Sequence, residues 1–346
     1  MPTVVALAFA LLVALCGPAA AQSPTLAELA MYSGPDRTDR LVAGAKKEGV
    51  ITAYSSMTSD DQRVLVDAFW KKYGVKLQFW RASSESILRR ALIEQRAGRY
   101  EVDAVETSAA EMESLHREGM LQEVRSPHLA DIVPGALRPH REWVGDRLNI
   151  IAAGYNTKLV RKDELPKSYE DFADPRWKGR LGIESDDAVW FGALANALGE
   201  EKIVKLFREM VRVNGVSVRK GHTLLANLVV SGEVQFALTV YHYKAEQLKN
   251  SGAPLDWYVI PPGFARFLGT GVMRRAPHPH AAVLFLDFML YEAQQLLVTR
   301  DFTPTNMKVR PLDVPFSVID PAQILDQGDR WTKLYDEIVV KQGKKR

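Results

Sequence analysis

Cysteine is almost absent: one residue, Cys16, in a chain of 346. It lies within the first 21 residues, which carry no charged side chain and run from Val4 through Leu15 into Gly17-Pro18-Ala19-Ala20-Ala21. An apolar run of that length ending in small residues before Gln22 reads as a cleaved export segment, residues 1–21. The expected mature chain then has no cysteine, which excludes disulfides, zinc-thiolate sites and thiol nucleophiles together. If Cys16 is retained, lipidation there is the alternative. Catalytic signatures are also missing. There is no nucleophile elbow, P-loop, GxGxxG fingerprint or HExxH pair. An excess of positive charge is lacking too, since 45 basic residues face 42 acidic ones for a net charge of +3. Such balance gives no footprint for nucleic acid. After residue 21 no apolar run reaches the ~18 residues of a membrane span.

What remains is about 325 residues with a hydrophobic fraction of 47% over the whole chain, enough for two lobes with separate cores. Strand-like and helix-like segments alternate regularly after a helical lead-in over 26–49. Val50 to Tyr54, Val75 to Trp80 and Val102 to Glu106 read as strands. They alternate with helices over 60–73, 85–97 and 109–118, closed by Gly74, Gly98 and Gly119. Leu148 to Tyr155 reads as a connecting strand, and the alternation resumes from Leu181 to Ile260. Thr270 to Met273 resembles a return strand, followed by a helix from Pro279. Strands alternating with long helices imply parallel sheets with crossover helices.

Ligands of open α/β sheets bind at the carboxyl ends of strands. Those ends carry Tyr54-Ser55-Ser56, Arg81 with Ser83, Ser108, Asp186-Asp187 and Tyr241-His242-Tyr243. Each loop has a bland reading, because Ser, Thr and Asp are the usual helix N-cap residues. Five polar loops on one edge are better explained by a cleft. Arg81 offers a charge for an anion, or is a surface arginine. His222 caps the following helix or lines the cleft. His278 and His280 fit a surface turn, and Asp301 to Asn306 a plain loop, with closure of one rim as the alternative. Phenol and imidazole are metal donors, so Tyr241, His242 and Tyr243 are the candidate metal ligands. Stacking of Tyr241 on an organic ligand is the other reading, and core packing is a third for Tyr243.

The runs Ile51-Thr52-Ala53-Tyr54-Ser55-Ser56, Tyr155-Asn156-Thr157-Lys158 and Asp174-Pro175-Arg176-Trp177-Lys178-Gly179-Arg180-Leu181-Gly182 carry a resemblance. The chain resembles the periplasmic solute-binding proteins of ABC importers, within them the ferric iron-binding branch. That resemblance implies an α/β fold of two lobes (type II), joined by crossover strands, with one ligand in the cleft between them. It implies a lobe 1 over 22–152, lobe 2 over 153–268, and a return to lobe 1 over 269–346 with C-terminal helices against lobe 2. It further implies a non-enzymatic, monomeric, periplasmic carrier with Fe(3+) or an iron chelate as cargo and permease subunits as partners. The branch's adjacent tyrosine pair falls on Tyr241-His242, its histidine near Met57-Thr58 and its glutamate near Ser108. One tyrosine of the pair matches and the other ligands do not. A small organic anion, carboxylate or phosphonate, is the alternative cargo, and an exported hydrolase the reading from another class.

Overall fold

The computed structural model of the chain describes residues 24–311 and 316–343. The expected export segment and Cys16 lie outside them. The helical lead-in consists of α1 (Leu26–Met31) and α2 (Arg37–Glu48), divided by Ser33-Gly34-Pro35, which cannot continue a helix. Alternation then proceeds through β1 (Val50–Ser55), α3 (Ser59–Tyr73), β2 (Lys76–Arg81), α4 (Ser84–Arg96), β3 (Ala104–Ser108) and α5 (Ala109–Arg117). Helix α3 ends at Gly74, whose positive φ of 66° is open to glycine at little cost.

Strand β4 (Val144–Asn156) is followed by β5 (Leu181–Glu184), α6 (Ala188–Leu198), α7 (Glu200–Asn214), β6 (Ser217–Arg219) and α8 (His222–Ser231). Next come β7 (Phe236–Tyr241), α9 (His242–Asn250), β8 (Leu255–Tyr258) and β9 (Phe264–Val272). The chain closes with α10 (Pro279–Leu290), α11 (Glu292–Val298), β10 (Thr303–Pro304), β11 (Ser317–Val318) and α12 (Pro321–Tyr335). Among the described residues no single helix is long and apolar enough to cross a membrane.

Strand register explains the architecture. Two parallel groups, β2-β1-β3 and β7-β5-β6, stand on either side of the antiparallel pair β9-β4, giving the order β2-β1-β3-β9-β4-β7-β5-β6. Strand β3 reaches Ser108 opposite Leu268 of β9. Strand β7 reaches Tyr241 opposite Ile151 of β4, which itself faces Phe264 of β9. The carboxyl ends of β3 and β7 therefore point toward each other along one paired band. Four residue steps of β9 separate them, about 13 Å. Strand β10 takes the place beside β4 where β7 has ended, at Arg147 and Leu148.

Both band strands are longer than their sequence suggests. Val144 to Arg147 fall outside the strand read over Leu148 to Tyr155, because Gly145, Asp146 and Arg147 are polar or flexible. In the fold these side chains are buried and largely paired. Arg147 donates to Glu106 at 2.6 Å and to Asp146 at 2.8 Å, Ser55 Oγ donates to Glu106 at 2.5 Å, and Thr270 Oγ1 donates to Asp146 at 2.6 Å. In β9, a Cβ on Gly269 would lie 2.6 Å from the Trp143 ring, so only glycine lets the indole lie against the strand.

The C-terminal helix α12 touches both parallel groups. Asp326 pairs with Arg117 of α5 at 2.8 Å, while Trp331 lies against Phe191 of α6, close enough that a Cβ on Gly192 would meet the indole at 2.7 Å. Tyr335 Oη donates to the Glu184 carbonyl at 2.6 Å.

The polar centre of the band carries a pH dependence. Asp146 is pushed up to about 7 by burial, which outweighs the attraction of Arg147 and is reinforced by the repulsion of Glu106. Between the ordinary 3.8 and about 7 the folded state holds a proton that the unfolded chain has released. This group's contribution is present at low pH and is lost as pH rises through about 7. Thermal unfolding across that range should show a steeper decline for the wild type than for Asp146→Asn, and parallel curves would refute the assignment.

Candidate functional site

The gap between the ends of β3 and β7 is spanned by Ala265–Phe267 of β9 and the facing residues of β4, with Arg266 opposite Asn149. Buried polar atoms without a protein partner gather around it. They include Ser56 Oγ, Asn149 Oδ1, Asp187 Oδ2, His222 Nδ1, Tyr241 Oη and Arg266 Nε. A buried polar atom left unpaired costs about 1–3 kcal/mol, so a concentration of them in one place is the mark of a site that a ligand completes.

Four elements hold the lobe 2 side. Tyr241 is the last residue of β7, 8% exposed, with its ring 3.8 Å centroid to centroid from His222 at the start of α8. His222 Nε2 lies 3.2 Å from Asp187 Oδ1, and Asp187 sits ahead of α6 with no side-chain cap hydrogen bond. The usual capping role of aspartate is thus not taken up here. Glu184 Oε1 accepts from Gly221 N at 2.7 Å, and its other oxygen accepts from Asp186 N, which ties the end of β5 to the loop ahead of His222. One ligand atom from each of Glu184, Asp187 and His222 lies within 4.8 Å of the others.

Burial disfavours charge on both members of the Asp187–His222 pair, yet each partner outweighs it for the other. Asp187 is held below the usual carboxylate range by the imidazole, and His222 is raised by Asp187 and Glu184. Glu184 is raised by burial and then by Asp187. Arg266 approaches from β9, its guanidinium 5.1 Å from the Tyr241 ring centre. On the lobe 1 side, Glu111 in the first turn of α5 is raised by burial, against the pull of a hydrogen bond from Ser108 and of Arg266. The site therefore combines carboxylates, one imidazole, one phenol and one guanidinium.

Several residues expected from the sequence are placed elsewhere. His242 belongs to the framework, not to a metal shell. Its Nδ1 accepts from Ile150 N at 3.2 Å, its Nε2 is 3.0 Å from Thr303 Oγ1, and burial pushes it down to about 4. Tyr243 stacks on Phe302 at 4.1 Å, and burial raises its phenol to about 12, which opposes a phenolate. Tyr54 turns away to Glu94 of α4, donating at 2.8 Å. Ser55 is consumed by Glu106, and Ser83 caps α4 by accepting from Ser86 N at 3.3 Å. Arg81 and Asp186 are exposed. Segment 301–306 does not close a rim, because Thr303 and Pro304 pair with β4 while Thr305 and Asn306 are fully buried. His278 is not a bare surface residue, since its Nδ1 lies 3.0 Å from the buried Asp103. Sequence reasoning missed Arg266, Glu111 and Glu184. Arg266 had one signal, a lone charge inside the apolar run Phe264-Ala265-Arg266-Phe267-Leu268.

Two three-stranded parallel groups on a shared band, with donors in the gap, set the frame for comparison. The sequence profile of the bacterial extracellular solute-binding proteins matches residues 107–326. The chain belongs to this family. As a solute-binding protein it is similar to the Fe(3+)-binding periplasmic protein of Serratia marcescens, 25% identical over 303 residues, covering 82% of this chain and 88% of the relative. The iron-bound HitA of Pseudomonas aeruginosa shares the fold with a TM-score of 0.71 and 19% identity, over 84% of this chain and 99% of that one. AfuA of Actinobacillus pleuropneumoniae, a periplasmic binding protein solved with exogenous fructose-6-phosphate bound, matches equally with a TM-score of 0.71. Its identity is 21%, again over 84% of this chain and 99% of that one. The two-lobed α/β fold expected from the sequence is the fold of this solute-binding protein.

Proposed function

We propose that this chain is the periplasmic binding component of an ABC importer that carries ferric iron, as a chelate with a carboxylate-bearing anion, to membrane permease subunits. The chain acts as a monomer and performs no chemistry on its cargo. The observation that carries the reading is one wall of the cleft on which His222 lies against Tyr241 and meets Asp187, with Tyr241 Oη, Asp187 Oδ2 and His222 Nδ1 each buried without a protein partner. Oxygen-rich shells with an imidazole suit hard and borderline cations, and a bound cation of high charge makes a phenol ionise far below its free pKa of ~10. Arg266 beside Tyr241 supplies the charge that an accompanying carboxylate would need. The Serratia relative is named as a Fe(3+)-binding periplasmic protein, in keeping with this cargo.

A second reading is favoured by the same Arg266, whose buried Nε has no partner. A small organic anion, carboxylate or phosphate-bearing, would take it without metal, as the fructose-6-phosphate bound to AfuA suggests. Titration with ferric citrate, citrate alone and a panel of sugar phosphates separates the two. Ferric citrate should produce a phenolate-to-iron charge-transfer band and raise the melting temperature, with about 2.7 kcal/mol of added stability at a hundredfold excess over Kd. Stabilisation by an organic anion with no response to ferric citrate would overturn the iron reading.

A further inference from the structure

We propose that Tyr335, on the C-terminal helix, is a positioning residue for the cleft, holding the end of β5 so that Asp187 and His222 meet. The need for it lies in the sheet. Strand β5 pairs with β7 only at Leu181 and Gly182, so at Glu184 the ladder on that side has ended. A buried N–H and C=O left there must find other partners. Glu184, 3% exposed, finds two side chains. Its N–H donates to Thr239 Oγ1 of β7 at 3.3 Å, and its carbonyl accepts from Tyr335 Oη at 2.6 Å. Its carboxylate accepts from Asp186 N and Gly221 N, the residues immediately before Asp187 and His222. Every polar group of Glu184 is thus tied. One residue joins β5, β7 and α12 to the two loops that present the cleft wall.

Tyr335 is built for this task. It is fully buried, with its ring 5.6 Å from Phe191 of α6. Burial, then Asp187, Glu184 and Asp186, hold its phenol well above the ordinary range, so it remains a donor beside a charged wall. That separates it from Tyr241, whose oxygen is the one without a protein partner. Helix α12 is anchored at both ends. Asp320 and Asp326 reach Arg138 and Arg117 at 3.6 and 2.8 Å, on the lobe 1 side. Arg330 and Glu337 pair with Glu200 and Arg208 of α7, on the lobe 2 side. Directly after Tyr335 the helix widens into a single π turn, Asp336–Val340, where Ile338 and Val339 are buried. Such turns are rare and gather at functional positions. With no exposed surface of its own, Tyr335 acts on the cleft only through Glu184.

The test is amide hydrogen exchange, followed by NMR on the ligand-free full chain. In Tyr335→Phe, which keeps the ring against Phe191, the N–H groups of Asp186 and Gly221 should exchange about two- to tenfold faster than in the wild type, the effect of one hydrogen bond. Ile338→Val removes one methyl group from the same end of the chain and should leave both amides at their wild-type rates. A second readout, ferric citrate affinity, rests on the cargo proposed above. It should fall about 10–100-fold in Tyr335→Phe, as for other supports behind ligands, and hold in Ile338→Val. The fall should be smaller when Tyr335→Phe is added to Glu184→Gln, because both act on the same two loops. Unchanged exchange at both amides in Tyr335→Phe, or equal acceleration in Ile338→Val, overturns the proposal. A wild-type protein indifferent to ferric citrate would strike the cargo alone, and the exchange rates would still decide the role of Tyr335.

Discussion

Replacing Tyr241 by Phe is expected to abolish the ferric charge-transfer band and to weaken ferric citrate binding by about 2–3 kcal/mol, roughly a hundredfold. The loss should appear in affinity alone. Tyr241 Oη makes no protein hydrogen bond, so the ligand-free fold gives up nothing when the oxygen goes and is relieved of a buried, unsatisfied group. The melting temperature of ligand-free Tyr241→Phe should therefore equal or slightly exceed that of the wild type, while its response to ferric citrate disappears. Tyr243→Phe is the internal comparison. That ring stacks on Phe302 and its phenol is raised by burial, so ferric binding should survive. Equal losses in both variants would refute the assignment of Tyr241 as the phenolate.

The largest effect on stability is expected from Arg147→Met. This guanidinium, 2% exposed, neutralises Glu106 and Asp146 at the centre of the band. Its removal leaves two buried carboxylates facing each other, a change that costs about 3–5 kcal/mol. Chemical denaturation should show that loss directly. Restoring neutrality with Glu106→Gln and Asp146→Asn in the same chain should recover most of it, because apolar or neutral replacement of an entire buried charge cluster is often close to neutral. Arg147→Lys should fall between, since an ammonium keeps the charge but not the fork that reaches both carboxylates. A single variant as stable as the wild type would show that water reaches these charges after all.

The alternation of strands and helices was legible because each short strand is a compact apolar run bounded by glycine or a polar turn, as in Val50 to Tyr54 before Ser55. Asp187, His222 and Tyr241 could be singled out because strand ends are where side chains escape the sheet. Their meeting at one wall was not visible, since it depends on Glu184 holding the loop ahead of His222. The band strands were under-read for a related reason. A strand start that buries Asp146 and Arg147 does not look like one until the partners Glu106 and Thr270, from other parts of the chain, are in place. His242 was misjudged because adjacency in sequence says nothing of direction. The chain passes from β7 into α9 at that point, so Tyr241 and His242 diverge, one to the cleft and one to Ile150 and Thr303.

The band also works as a ruler. One cleft wall is hydrogen-bonded to β9 and the other to its partner β4, and a slip of one residue would turn every side chain to the wrong face. The reach between the walls is thus counted in residues of β9, Ala265 to Phe267, and not in the length of any loop. Loop insertions would leave that count alone, whereas two residues more or fewer in β9 would change it by about 7 Å. Relatives that keep the band but alter this count would be matched to cargo of a different length.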